Sequence, residues 1–299
     1  MSYRSGFVGV IGLPNSGKST LVNHLVGEKV SIVSNKPQTT RRRSLGILTL
    51  PESQAIFVDA PGVLTASSGL NLFLVEEVND VIAKSDVLMV VLNIDERNLD
   101  HLKEIIELAE KSGKPWVGVI HKLDLPEFHR PHILRMMLEE KNIPCVSGSS
   151  VEDKDGFGQK LVAKIMSLLP EAESPIYDKD LFTPATEREL VAEIIREKCF
   201  ESLHQEIPFG TAVRIVGFND RERPVLTIRA EIIVAKPNHL GMVVGKEAKV
   251  IKQIGTDSRK DIEKLLGRKV FLDLSVSASK DWYKNPQMMK ELGYVSQQH

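Results

Sequence analysis

The stretch VGVIGLPNSGKSTLVNHLVG, residues 8 to 27, constrains this chain more than any other: an apolar, β-branched run leads into Gly12 and Gly17, then Lys18, Ser19 and an amphipathic segment. The spacing G-x-x-x-x-G-K-[ST] between a strand and a helix makes the backbone curl with its amides inward, at the positive end of the helix that follows. Such a loop holds the phosphates of a nucleotide. Asn15, Ser16, Gly17 and Thr20 form the wrap, Lys18 reaches the β and γ phosphates, and the Ser19 hydroxyl sits on magnesium. The loop alone does not name the base.

The surrounding pattern sets the fold class. From Phe7 to about Pro170 the runs FVGVIG, LGILTL, AIFVDA, VLMVVLN, PWVGVIH and IPCVSG alternate with helix-period segments that start near Lys18, Leu70, Asp100 and Pro131 and after Gly156. Apolar strands separated by helices predict an α/β, doubly wound, mostly parallel sheet buried on both faces, with its ligand at the carboxyl ends of the strands. The acid- and proline-rich stretch that follows predicts an exposed linker over residues 173–185, dividing a nucleotide domain of 1–172 from a second domain of 186–299. Within it, TPATEREL opens a capped helix. A helix near 186–204, strands near 210–217 and 225–235, a turn at Gly245, a helix to about Leu266 and the strand KVFLDLSV then predict a smaller α+β domain.

Three further segments belong with the phosphate loop. Asp59 ends the run AIFVDA and opens DAPG, which places its carboxylate at the sheet's carboxyl edge for a contact to magnesium, and Gly62 offers its amide to the γ phosphate. Between these and the loop lies the polar stretch SNKPQTTRRRS. Thr39 or Thr40 can complete the magnesium shell there when the γ phosphate is present, Thr40 being favoured, which makes the stretch an order-disorder switch. Ser19, Thr40 and Asp59 are thus the expected metal ligands, and Lys18, Thr40 and Gly62 the residues expected at the hydrolytic step. Arg41, Arg42 and Arg43 read as a solvated face or partner contact ahead of a built-in arginine finger.

The base is named further on. PWVGVIHKLD ends in His121, Lys122, Leu123 and Asp124. A carboxylate fixed at a strand end accepts both the N1 hydrogen and the exocyclic amine of guanine. Adenine has no such donor pair, and a site built for one rejects the other by about 10⁴-fold. The Lys122 stem covers one face of the base. At CVSGSS the backbone amide of Ser147 or Gly148 meets the guanine carbonyl. GTP or GDP, with magnesium, is the expected ligand.

At these residues the chain resembles a family. GLPNSGKS, QTTR, DAPG, HKLD and VSG are similar to the five guanine-nucleotide motifs of the TrmE-Era-like translation GTPases. His121 stands where that family usually has asparagine, which ties the base strand to the phosphate loop, and Gly148 where it has alanine. Val63 follows Gly62 where Ras-like enzymes carry a water-orienting glutamine. The resemblance therefore implies slow hydrolysis relying on other groups, among them a potassium ion held partly by Asn15. An Asx turn is the other reading of Asn15.

In the second domain, Val243, Val244, Val250, Ile251, Ile254, Ile262, Leu265 and Leu266 have the spacing of buried helix faces. Gly241 to Val270 carries eight Lys and Arg against four Asp and Glu, and with a net charge of -1 for the chain any RNA site must be local. VVGKEAKVIKQIG resembles the G-x-x-G turn and following helix of a KH domain, of type II, whose turn clamps about four nucleotides of single-stranded RNA. That likeness implies RNA contacts at Val244, Gly245, Lys246, Glu247, Ala248, Lys249 and Lys252. Ala248 replaces the second glycine, adding a methyl where RNA approaches and resisting positive φ. Trp282 and Tyr283 either stack on bases or pack the tail.

A single GTPase domain joined to a KH domain and ending in DWYKNPQMMKELGY matches the Era family over nearly the whole chain. The resemblance implies a switch that binds the 3′ end of small-subunit (16S) ribosomal RNA and acts in 30S subunit assembly, as a monomer, with a peripheral membrane contact. Cys145 and Cys199 form no metal or disulfide spacing, and no leader or spanning run is seen, so a cytoplasmic protein is expected. The competing readings are a nucleotide-binding RNA scaffold with little hydrolysis, motivated by Val63, His121 and Ala248, and a P-loop ATPase acting on RNA, disfavoured by Asp124.

Overall fold

The computed structural model describes residues 2–33, 36, 40–62, 69–126, 130–153, 156–219 and 225–294. They fall into two units, Met1–Pro184 and Ala185–His299.

The first unit runs β1 (Tyr3–Gly12), α1 (Lys18–Val26), β2 (Ser44–Leu50), β3 (Ser53–Asp59), α2 (Gly69–Lys84), β4 (Val87–Asn93), α3 (Leu99–Lys111), β5 (Trp116–His121), α4 (Arg130–Glu140), β6 (Cys145–Gly148), α5 (Phe157–Leu168) and β7 (Glu171–Ala172). The sheet order is β2-β3-β1-β4-β5-β6, with β7 paired to β1. β3, β1, β4, β5 and β6 are parallel. Every residue of β3, β4 and β5 is buried, because helices cover both faces and leave no side of those strands in water. One apolar core forms around Val90, Leu92, Ile105 and Leu138, and the other around Val10, Leu21, Val119 and Phe157. The sheet is mostly parallel as expected, and LGILTL is an antiparallel member. Only Pro51 and Glu52 separate β2 from β3, too short for a crossover, so β2 is an antiparallel edge strand.

Because β1, β3, β4, β5 and β6 run the same way, the phosphate loop, Asp59, Asn93, His121 and Gly148 all emerge at one edge of the sheet. Residues 173–184, expected as an exposed linker, are mostly exposed and are also bonded to the first unit. Gln54 of β3 receives the Ile176 and Tyr177 amides at 2.8 and 2.9 Å and donates to the Tyr177 carbonyl at 2.9 Å. The Ile47 amide of β2 donates to the Phe182 carbonyl at 2.8 Å. The polarity that suggested a solvated tether is partly satisfied by this edge, and the division between units falls after Pro184.

The second unit runs α6 (Glu187–Ser202), β8 (Thr211–Asn219), β9 (Leu226–Val234), α7 (Leu240–Val244), α8 (Lys249–Leu266), β10 (Val270–Ala278) and α9 (Pro286–Glu291). Thr186 and Glu189 form a reciprocal capping box at the start of α6, as TPATEREL implied. The sheet order is β10-β9-β8, with β10 parallel and β8 antiparallel to β9. Alternate β9 residues, Leu226, Ile228, Ala230, Ile232 and Val234, meet Val191, Ile195, Ile254 and Ile262 in its core. Among the described residues no helix is long and apolar enough to cross a membrane. Cys199 is buried and its thiol is pushed up to about 12 by burial, so both its packing and its chemistry are those of a small inert hydrophobe.

Candidate functional site

A cleft of about 460 Å³ opens at the carboxyl edge of the first sheet. Its floor is the phosphate loop. Asn15 and Gly17 both adopt left-handed backbone, with φ of 60 and 94°, and α1 starts with no side chain capping its first turn. The unpaired amides of that turn therefore face the cleft. Gly17 is required twice: its φ is positive, and a Cβ there would sit 2.5 Å from His121 Nδ1. Lys18 is only 5% exposed and donates to the carbonyls of Gly12 and Leu13 at 3.1 and 2.9 Å. Burial lowers its pKa to about 8 against the ordinary 10.5, with Asp59 opposing and Lys122 adding to the shift.

Ser19, Asp59 and Thr40 meet beside it. The Ser19 hydroxyl donates to Asp59 Oδ2 at 2.6 Å and lies 2.9 Å from Thr40 Oγ1. Asp59 is fully buried, and its Oδ1 has no hydrogen-bond partner. Burial pushes the carboxyl up, while Lys18 and the Ser19 hydrogen bond hold it down. A buried carboxylate with one oxygen unpartnered, bonded to the Ser19 hydroxyl that in turn meets Thr40, is a hard oxygen set of the kind magnesium takes, so the residues fit that ion. Thr40 is the described threonine that reaches this cluster; Thr39 and Val63 lie outside the described residues.

The base end is built from β5 and β6. His121 is 3% exposed, and its Nδ1 lies 3.0 Å from the Ser16 carbonyl. A carbonyl only accepts, so Nδ1 carries the proton and Nε2 accepts from the Ser150 amide at 3.3 Å and contacts the Ser150 hydroxyl. Burial holds this imidazole's pKa below its ordinary value, which keeps it in that neutral form. One donated bond suffices to tie the base strand to the phosphate loop. Behind it the Phe157 ring stacks at 6.2 Å and 26°. A Cβ at Gly148 would meet that ring at 2.2–2.3 Å. Gly148→Ala is therefore expected to lower the stability of the first unit by about 1–3 kcal/mol, read by chemical denaturation, with Phe157→Leu in the same chain restoring part of the loss.

Lys122 and Asp124 line the cleft with Thr20, Thr40 and Gly62, as expected; Asp59 and Ser16 lie buried behind the wall. Ser147 and Gly148 do not line it, and the wall there is Ser149 and Val151. Ser147 Oγ instead accepts from Arg135 at 3.1 Å. Asp95, which sequence reasoning missed, bonds Lys122 Nζ at 2.8 Å.

The arginine run is not a solvated face. Arg41 is 2% exposed, and Arg43 bonds Asp80 and lies 4.0 Å from buried Glu77, both on α2. The helix that follows DAPG thus supplies acids that neutralise the segment beside Thr40.

In the second unit the turn before α8 holds Gly245 at φ 72°, Glu247 at 54° and Ala248 at 58°. Ala248 adopts the positive φ that its methyl resists. α8 then starts without a side-chain cap, and Lys246, Glu247, Lys249 and Lys252 are exposed around its first turn. Trp282 is fully buried, donates to the Gly210 carbonyl at 2.9 Å and stacks on Tyr294, so it packs the tail. Tyr283 is half-buried and bonds Asp281.

Comparison with known proteins places both units. Residues 7–122 match the model of the 50S ribosome-binding GTPases and residues 206–283 that of the KH domain. The chain is 38% identical over 299 residues to GTPase Era of Geotalea uraniireducens (strain Rf4), covering 98% of each. It is 40% identical over 297 residues to GTPase Era of Geobacter sp. (strain M21), again covering 98% of each. Among solved structures, a point variant of Aquifex aeolicus Era bound to GDP.AlF4- superposes with a TM-score of 0.89 at 32% identity, covering 98% of this chain and 99% of that one. Era in complex with MgGDPNP and nucleotides 1506–1542 of 16S ribosomal RNA does so with 0.90 at 33%, with the same coverage.

Proposed function

Because this chain belongs to the Era family of GTPases, we propose that it binds and hydrolyses GTP in residues 1–172 and holds small-subunit ribosomal RNA on residues 186–299. The observation that carries the reading is the meeting, in one cleft, of buried Lys18, the Ser19 and Thr40 hydroxyls, with Asp59 bonded to Ser19 from behind the wall, and the Lys122 and Asp124 strand end. Asp124 accepts from guanine, the Lys122 stem covers the base, and His121 fixes their distance from the loop. The loop amides and Lys18 stabilise charge on the terminal phosphate oxygens. Ser19, Thr40 and Asp59 would hold magnesium, which supplies neutralisation of phosphate charge. Gly62 offers its amide to the γ phosphate.

The finer assignments follow the family: potassium at Asn15, the RNA 3′ end as target, a monomer in the cytoplasm, and a peripheral contact at the inner membrane face. RNA binding is assigned to Val244, Gly245 and Lys246 through Lys249 and Lys252, with the nucleotide state read by the second unit through the 173–185 segment. Phosphate release from GTP, with and without potassium and small ribosomal subunits, tests the enzymatic reading. Release that ribosomal subunits accelerate supports it, and no release in any condition makes the chain a scaffold. Equal RNA affinity with GDP and a non-hydrolysable GTP analogue would remove the switch.

The Lys18 ammonium gives a pH signature. Binding a triphosphate needs the charged form, yet in the nucleotide-free fold that form is lost above a pKa of about 8. GTP affinity is therefore flat with respect to this group below pH 8 and falls above it, with uptake of about one proton on binding. Stability of the free protein runs the other way. The unfolded chain binds the proton more tightly, so this group's contribution rises as pH goes from about 8 to 10.5. Calorimetry in buffers of differing ionisation heat reads the proton uptake.

Ala248→Gly tests the RNA turn. Relief of the left-handed strain, about 1–2 kcal/mol, is about half offset by the greater freedom of glycine in the unfolded chain, about 0.4–1 kcal/mol. Stability is thus expected to rise by up to about 1 kcal/mol, while affinity for single-stranded RNA rises several-fold as the methyl leaves the approach path, measured by fluorescence anisotropy.

A further inference from the structure

We propose that Asp95 is a positioning residue of the guanine site, holding the Lys122 side chain across the cleft before nucleotide arrives; this rests on the nucleotide reading above. Lys122 has a backbone φ of 66°, so its side chain leaves a left-handed turn at the end of β5. A free lysine samples many rotamers, a freedom that a ligand using its stem would have to remove. Here that freedom is already gone: Nζ donates to Asp95 Oδ2 at 2.8 Å.

The clamp is itself anchored. Asn93 Nδ2 donates to Asp95 Oδ1, and Asn93 is buried at the end of β4, opposite His121 in the parallel register. The chain of contacts runs from the sheet to the carboxylate to the lysine, and both Asp95 and Lys122 line the cleft. Burial works against the Asp95 charge, but the Lys122 and Asn93 hydrogen bonds hold its carboxyl below the usual range. With its charge paired, Lys122 presents an apolar stem to a base face, leaving the phosphates to Lys18. A stem that covers a ring face does not distinguish one purine edge from another, whereas Asp124 does.

Titration of the full chain with GDP and with inosine diphosphate tests this. Asp95→Ala is expected to weaken both about tenfold, leaving their ratio unchanged, while Asp95→Asn, which keeps an acceptor for Nζ, weakens them less than about threefold. In a Lys122→Met background, Asp95→Ala is expected to have no further effect. Unchanged affinity in Asp95→Ala, an equal loss in the Lys122→Met background, or an altered ratio of the two nucleotides would each overturn the proposal. Failure of the unmutated chain to bind GDP would instead overturn the nucleotide reading, and this proposal with it.

Discussion

Asp124→Ala is expected to lower the preference for GTP over ATP by about 10²- to 10⁴-fold, the worth of two hydrogen bonds to a charged acceptor at about 1.5–3 kcal/mol each. The loss is confined to the base. Asp124 sits exposed at the cleft wall beyond the end of β5, where no core contact depends on it, so the fold and the phosphate loop stay intact. Competition of GTP and ATP for the nucleotide-free protein, alongside thermal unfolding, reads the two effects apart. Retained selectivity in the variant would show that guanine is read by groups other than Asp124.

Lys18→Met should act at the other end of the ligand. The methionine keeps the apolar stem but removes the buried ammonium on the cleft floor. Single-turnover hydrolysis is expected to fall by about 10²- to 10³-fold, as when one preorganised donor is lost from a transition-state site. The free protein should not lose comparable stability, because its buried charge is already disfavoured, as the lowered pKa of about 8 records. An unfolding midpoint that drops with activity would show instead that the Gly12 and Leu13 carbonyls need this lysine to hold the loop.

Much of this was legible in the chain itself, for reasons that are local. The strand, glycine spacing and helix around Lys18 are contiguous, and the same holds for the apolar run that delivers Asp59 and the one that delivers Asp124. What escaped depends on partners distant in sequence. Asp95 lies 27 residues from Lys122, and nothing in its neighbours distinguishes it from a solvated acid. Arg41 and Arg43 looked exposed because their segment is polar; Arg41 is in fact buried, and Glu77 and Asp80 of α2 draw Arg43 inward. In residues 173–184, which are mostly exposed, what the sequence could not show is that Gln54, 122 and 123 residues earlier, takes up the Ile176 and Tyr177 amides. Ser147 and Gly148 do not line the cleft, where Ser149 does, and the Phe157 ring that packs on this strand end comes from a segment nine residues on, which the motif itself could not show.

The space that Phe157 occupies links three separate positions in the sequence. An aromatic ring at 157 cannot coexist with a methyl at 148 at 2.2–2.3 Å, and the imidazole at 121 leans on that same ring. The three positions are therefore coupled: a methyl at 148 requires the ring to move, and moving the ring removes the face on which the imidazole rests. Substitutions at 121, 148 and 157 should accordingly show non-additive effects on stability, whereas changes at sites remote from the ring should add.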